Sequence, residues 1–266
     1  MTQNSNGSSL VTLGNTKVIT GITLQIGTPS PSTPTHGEID VSVNFSPICG
    51  SQYNNAGRLV HDDYEQRSFA ANAYADPQSI ESFVKRTIVS SNMIDLSQLC
   101  ILEGKAAWKI DVSCMVVNHD GNVVDAFLLG VVTALLDLRL PRVKMENVDG
   151  QEVAKIIDDD FGAVNSDSAQ LGQKMEFRKV CIPLTIGFFQ GKMLVDPSLE
   201  EESLCDGMIT VVVDGMSLNK DEGILSGVIL NLTKSGAGVL SSMEEIAACA
   251  QLAFGRAKEL EHILLK

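Results

Sequence analysis

The chain has 266 residues, 44% of them apolar and 20% charged, and 20 Lys and Arg against 33 Asp and Glu give a net charge of −13. This composition excludes extensive disorder, and it excludes a protein that grips nucleic acid over its whole surface, because phosphate binding needs positive potential. The longest apolar run, Ala126–Leu136, is too short to cross ~30 Å of hydrocarbon and reads as a buried helix.

The opening predicts a hairpin. Ser8–Leu13 and Lys17–Gln25 are rich in β-branched residues, and Gly14-Asn15 between them accepts the positive φ of a tight turn. Thr28–His36 holds Pro29, Pro31 and Pro34 and reads as a loop. Ile39, Val41, Val43 and Phe45 alternate with polar residues, as in a half-buried strand. Pro47–Tyr64 has no clear period. Asp76-Pro77 then signals a helix start, and Ile80, Phe83, Val84, Thr87 and Ile88 define one face of a helix over Pro77–Ser90.

Ile94–Ile101 reads as a connector and Ala107–Val117 as a long strand ended by the turn His119-Asp120-Gly121-Asn122. Val123–Leu138 predicts the most apolar helix, stopped by Pro141. Glu176–Phe189 and Lys192–Asp196 predict a second hairpin around Gln190-Gly191, with further strands at Met208–Val213 and Gly223–Leu230. A closing helix spans about Ser241–Leu264, with Ser241/Glu244 or Ser242/Glu245 as a capping box. The whole reads as one α+β domain over residues 1–266, with an acidic loop excursion at 148–175 that carries Asp149, Glu152, Asp158, Asp159, Asp160 and Asp167.

Familiar catalytic signatures are absent. The six cysteines have no CxxC spacing and read as reduced core residues of an intracellular protein. The four histidines lack metal-ligand spacing, and there is no GxSxG, Walker A or GxGxxG pattern, so no metal or cofactor is expected. Ser235-Gly236-Ala237-Gly238 reads as a Gly-rich turn into the last helix rather than an anion cradle. Asp196-Pro197-Ser198-Leu199-Glu200-Glu201-Glu202 follows a strand. Carboxylates at that position can face a cleft and hold a divalent cation or move a proton, or simply form a solvated turn.

Several segments, taken in order, resemble the RNase PH family, and within it the RNase PH-like ring subunits of the eukaryotic RNA exosome. They are residues 7–18 (Gly-Ser-Ser-Leu-Val-Thr-Leu-Gly-Asn-Thr-Lys-Val), Thr28-Pro29-Ser30, His36-Gly37, Ser46-Pro47-Ile48-Cys49, and Met93-Ile94-Asp95-Leu96. Leu99-Cys100-Ile101 with Gly104-Lys105 and Trp108 follows, then Asp120-Gly121-Asn122, Asp125-Ala126, Leu140-Pro141, Val195-Asp196-Pro197, Glu200-Glu201-Glu202 and Lys234-Ser235-Gly236.

The resemblance implies an RNase PH-like βαβα fold (ribosomal protein S5 domain 2-like) with a central sheet flanked by helices. Active members phosphorolyse RNA from its 3′ end, using arginines for the phosphates and an aspartate pair after the strand that matches Met193–Val195. Asp196 matches the first of that pair, and Glu202 stands at the second. The arginine side is poor. The helix at Pro77–Ser90 offers only Lys85-Arg86, and each lost charge-assisted contact removes ~1.5–3 kcal/mol of stabilisation.

The resemblance therefore points to a non-catalytic subunit with Asp196 and Glu202 as vestigial acids, no catalytic residues and no cofactor. Its implied partners are other RNase PH-like subunits in a hetero-hexameric ring, S1/KH-type cap subunits and the RNA passing through, with no membrane. Lys85, Arg86, Arg139 and Arg142 are the RNA-binding candidates. Nucleus, nucleolus and cytoplasm are the implied locations. The family's usual N-terminal segment is missing from the match. An active phosphorolytic exoribonuclease using Asp196 and Glu202 is the main alternative.

Overall fold

The computed structural model describes residues 5–49, 77–148, 151–156, 172–221, 224–236 and 243–264. Strands β1 (Gly7–Leu13) and β2 (Thr16–Gly27) form the expected hairpin, turning at Gly14 with φ +55°. β3 (Glu38–Phe45) buries every second residue, Ile39, Val41, Val43 and Phe45. Helix α1 (Pro77–Ser90) has the bounds read from its apolar face; its proposed cap, Asp76, lies outside the described residues. β4 (Cys100–Leu102) and β5 (Ala106–Asn118) complete a first sheet of order β1-β2-β5-β3, with β4 also on β5. The β3–β5 pair is the parallel one in this sheet, because a crossover through α1 separates the two strands.

Helix α2 (Val123–Asp137) is buried at twelve of its fifteen positions. It ends well before Pro141, where Leu138 turns extended and β6 (Arg139–Leu140) begins. β7 (Val143–Val148) and β8 (Gln151–Ile156) form a hairpin, and β9 (Gln173–Lys174) returns to pair with β6. The span read as an acidic loop at 148–175 is thus strand at both ends: Val148 pairs with Gln151 in the β7–β8 ladder, and Gln173 pairs with Leu140. Its centre, 157–171, lies outside the described residues.

The second sheet runs β11-β10-β12-β15. It comprises β10 (Cys181–Phe189), β11 (Lys192–Val195), β12 (Gly207–Asp214) and β15 (Ile229–Gly236), with the short helix α3 (Leu199–Leu204) between β11 and β12. Two expectations shift here. Glu176–Val180 is not strand: Phe177 makes a single bridge to Ile94, and the ladder starts at Cys181. The strand read at Gly223–Leu230 is instead β14 (Ile224–Ser226), paired with β13 (Asn219–Asp221), and then β15. The break falls at Gly227, where a Cβ would meet the Phe254 ring at 3.0 Å.

Helix α4 (Met243–Leu264) closes the chain; Ser241 and Ser242, its proposed caps, are outside the described residues. The layers are sheet, helices, sheet, helix. α2 lies between the sheets: Ser9 of β1 bonds its Gly130 carbonyl from one side, and Thr185 of β10 bonds its Asp125 from the other. On the far face of the second sheet, Met193 of β11 meets Cys249 of α4. All six cysteines are free thiols, and all but Cys100 are buried. Among the described residues no helix is long and apolar enough to cross a membrane.

Candidate functional site

The two halves of the fold meet at the N-terminal turn of α2. The loop His119–Asn122 is held from below by the β1–β2 turn. Asn15 Nδ2 donates to Asp120 Oδ2 (2.8 Å), Thr16 Oγ1 donates to the Gly121 carbonyl (2.7 Å) and accepts from the Asp120 N–H (3.0 Å). From above, the segment Asp196–Glu202 presses on the same loop, with the Leu199 N–H donating to the Asp120 carbonyl. Glycine is required at 121. Its φ is +95°, and a Cβ there would lie 2.5 Å from backbone atoms of Pro197, Ser198 and Leu199.

Asn122 is the centre of this junction. It adopts a left-handed conformation (φ +45°) and is 4% exposed. Its Nδ2 donates to both Asp125 Oδ2 (2.9 Å) and Asp196 Oδ1, and its backbone N–H donates to Glu202 Oε1 (2.8 Å). One asparagine thus collects three carboxylates from α2, the turn after β11, and α3. Asp196 is itself left-handed (φ +56°), and its N–H bonds the Thr185 carbonyl. Ser198 caps α3 through a reciprocal box with Glu201, which holds Glu201 below the usual carboxylate range.

Asp125 is fully enclosed. Its Oδ2 accepts from the Thr185 N–H (2.8 Å) as well as from Asn122, and its Oδ1 accepts from Thr185 Oγ1 (2.7 Å), which is bonded in turn to Thr210 Oγ1 (2.9 Å). Burial pushes its carboxyl up to about 6, against the opposing pull of these hydrogen bonds. His119, packed against Phe45 and accepting the Gly121 N–H at Nδ1, is pushed down to about 4 by burial.

The two acids singled out in the sequence therefore come together, but through Asn122 rather than as a chelating pair. Among the described residues no group of three or more His, Cys, Asp or Glu side chains is placed to hold a metal ion. Asn122 and Asp125 enter the sequence reading only as part of the family resemblance and not as site residues, and Thr185 and Thr210 do not enter it. The available signal was Asp125 itself, the one charged residue in the apolar stretch Val123–Leu136.

The cationic candidates lie elsewhere on the fold. Lys85 on α1 pairs with Asp40 at 2.9 Å, both about half exposed, and Arg86 follows it, exposed. Arg139 and Arg142 are exposed, the first opposite Lys174 in the β6–β9 ladder. Arg178 pairs with Asp95, and Arg256 with Glu259. Ser235 and Gly236, read as part of a turn, are the last residues of β15.

The order of sheet, helices, sheet and helix, with this carboxylate junction between the halves, defines an RNase PH-like α+β protein. Sequence models of the 3′ exoribonuclease family match the chain over residues 1–141 (domain 1) and 179–256 (domain 2), so the chain belongs to that family. It is similar to the exosome complex component Rrp42 of Thermococcus onnurineus, at 28% identity over 99% of this chain and 82% of that protein. The corresponding Rrp42 of Methanopyrus kandleri is 33% identical over 79% of this chain and 67% of its own length. Among solved structures, a chain of the Archaeoglobus fulgidus exosome with RNA bound to the active site superposes with a TM-score of 0.70 at 25% identity, covering 97% of this chain and 83% of that one. Rice (Oryza sativa) Rrp46 shares the fold, with a TM-score of 0.57 at 14% identity over 99% of this chain and 90% of its own.

Proposed function

We propose that this chain is a non-catalytic, structural subunit of an exosome core ring, supporting 3′-to-5′ RNA processing and degradation, including rRNA maturation and mRNA turnover. The observation that carries this reading is the engagement of both acids. Asp196 and Glu202 are bonded to Asn122, where they lock one half of the fold to the other. A phosphorolytic centre needs cations for its anionic nucleophile and substrate, and the hydrogen bonds around Asp125 and Asp196 come from amides and hydroxyls.

Assembly is supported by the outward face of the first sheet. Leu10, Ile19 and Met115 stand opposite one another on β1, β2 and β5 and are 67%, 41% and 49% exposed. An apolar row across three strands suits burial in a complex. The partners in this reading are other RNase PH-like subunits in a hetero-hexameric ring, S1/KH-type caps and the RNA threading them. Within the ring, Ser46–Cys49 and the C-terminal third favour a subunit resembling ribosomal RNA-processing protein 43 (exosome component 8) of the eukaryotic branch, with nuclear, nucleolar and cytoplasmic residence. Lys85, Arg86, Arg139 and Arg142 are its RNA contacts. Light scattering tests the assembly. The chain alone self-associates, and it becomes monodisperse with an RNase PH-like neighbour; a stable, monodisperse monomer contradicts the reading.

A further inference from the structure

We propose that Asp125, Thr185 and Thr210 form a buried proton-binding site between the two halves, in which uptake of one proton reverses a chain of hydroxyl hydrogen bonds. The geometry dictates where the proton goes. Asp125 Oδ2 already accepts from two N–H groups, the Thr185 amide and Asn122 Nδ2. Neither donor can turn into an acceptor, so a proton on Oδ2 would break both bonds. The Asn122 amide cannot flip to help, because its Nδ2 also holds Asp196, and reversal would set its oxygen against that carboxylate.

Oδ1 has a different neighbour. It accepts from Thr185 Oγ1, and a hydroxyl both donates and accepts. A proton from solvent binds Oδ1, and the new O–H donates to Thr185 Oγ1. The Thr185 hydrogen swings to Thr210 Oγ1, and the Thr210 hydrogen turns off Thr185. The two side-chain contacts, Asp125 to Thr185 and Thr185 to Thr210, survive with their direction reversed.

The surroundings favour the uptake. Asp125 is 2% exposed. β10 and β12 turn uncharged threonines toward it, and the buried residues of β1, β2 and β5 include no charged group. The turn after β11 brings Asp196, an anion, to the same Asn122 amide, and α3 brings Glu202 to the Asn122 N–H. His119 and Asp120 lie in the loop before α2, and His119 is held neutral by burial. Loss of the proton therefore leaves a buried carboxylate facing a second one across a single amide, and this loosens the seat of the Asp196–Glu202 segment on α2.

The test reads the carboxyl directly, since burial shifts His119 the other way and its opposing pH slope would mask Asp125 in an unfolding experiment. Carbon-13 NMR of the full chain, labelled at aspartate side-chain carboxyls, follows the signal that disappears in Asp125→Asn. In the wild-type chain that signal titrates near pH 6. Thr210→Val leaves the Thr185 hydroxyl hydrogen without an acceptor in the protonated state, whereas in the charged state Thr185 loses only a donor to its oxygen and keeps its own bond to Asp125. It lowers the midpoint by roughly half to one pH unit. A carboxyl that titrates below about pH 4.5, as exposed aspartates do, overturns the proposal, as does a Thr210→Val midpoint equal to the wild type. If Asp125→Asn does not fold, the signal shifted by Thr210→Val serves as the assignment, and no shifted signal overturns the proposal.

Discussion

Asn122 and Asp196 are 74 residues apart in sequence, both hold left-handed backbone, and their side chains are joined by a hydrogen bond. Each left-handed residue costs energy that a β or helical conformation would not. Both persist because the bond, the Glu202 contact and the packing on Gly121 fix the loop and the turn against each other. Asn122→Ala removes two donors to carboxylates and is expected to destabilise the fold by about 2–4 kcal/mol. Asn122→Asp replaces the donor with a further acid and is expected to cost at least as much. Chemical denaturation checks both, and a loss below about 1 kcal/mol in either would contradict this role for the asparagine.

Gly121 and Gly14 make a controlled pair. Both have positive φ, but a Cβ at Gly14 meets nothing within 4 Å, whereas one at Gly121 strikes backbone that cannot yield. Gly14→Ala is expected to cost about 1 kcal/mol, the left-handed penalty alone. Gly121→Ala is expected to cost at least about 3 kcal/mol and to expose the Pro197–Leu199 turn to proteolysis. Equal losses for the two variants, measured by thermal unfolding, would mean the turn does not bear on Gly121.

Asp125 and His119 give stability opposing pH slopes. Asp125 rises from the ordinary aspartate value of 3.8 to about 6 in the fold, so the folded state holds a proton that the unfolded chain has released. Its contribution is present at acid pH and is lost as pH climbs from about 4 to about 6. His119 falls from the ordinary histidine value of 6.5 to about 4, so the unfolded chain holds the extra proton. Its contribution is present above about pH 6.5 and is lost as pH falls toward about 4. Each swing is on the order of 2–3 kcal/mol, and the two largely offset. Unfolding free energy of Asp125→Asn should rise with pH between about 4 and 6, that of His119→Gln should fall, and the wild type should be flatter than either. Parallel profiles for all three would refute the assignment.

Much of the fold is legible in the sequence where local chemistry and tertiary packing agree. The Gly14-Asn15 turn, the alternation of Ile39 to Phe45 and the single apolar face of Pro77–Ser90 each specify one element. The departures lie where packing at a distance decides. β15 is an edge strand with Ile229 and Leu232 exposed, so its alternation is weak, and its start is set by Phe254 closing on Gly227. Val148–Met175 reads as a loop on charge alone, although its first residues pair in a hairpin. At the site, Asp196 and Glu202 stand out as acids, but their partner does not, because Asn122 reaches them only after α2 docks between the sheets.

The four cationic candidates have a distinct signature. The Lys85–Asp40 pair is half exposed and contributes under about 1 kcal/mol, so Lys85 can exchange its partner for a phosphate. In an assembled ring, replacing Lys85, Arg86, Arg139 or Arg142 by Ala should reduce the slope of log affinity for single-stranded RNA against log salt by about 0.7 for each true contact. An unchanged slope removes that residue from the RNA path.

The central claim is that the surviving acids are structural and do not turn over RNA. Asp196→Asn keeps an oxygen for Asn122 and discards only the charge, so it separates the two roles. The measurement is phosphate-dependent release of nucleoside diphosphates from single-stranded RNA by the chain assembled with its RNase PH-like neighbours. The account predicts the same rate with Asp196 and with Asn at that position. A rate that collapses in Asp196→Asn while the ring remains assembled would contradict it.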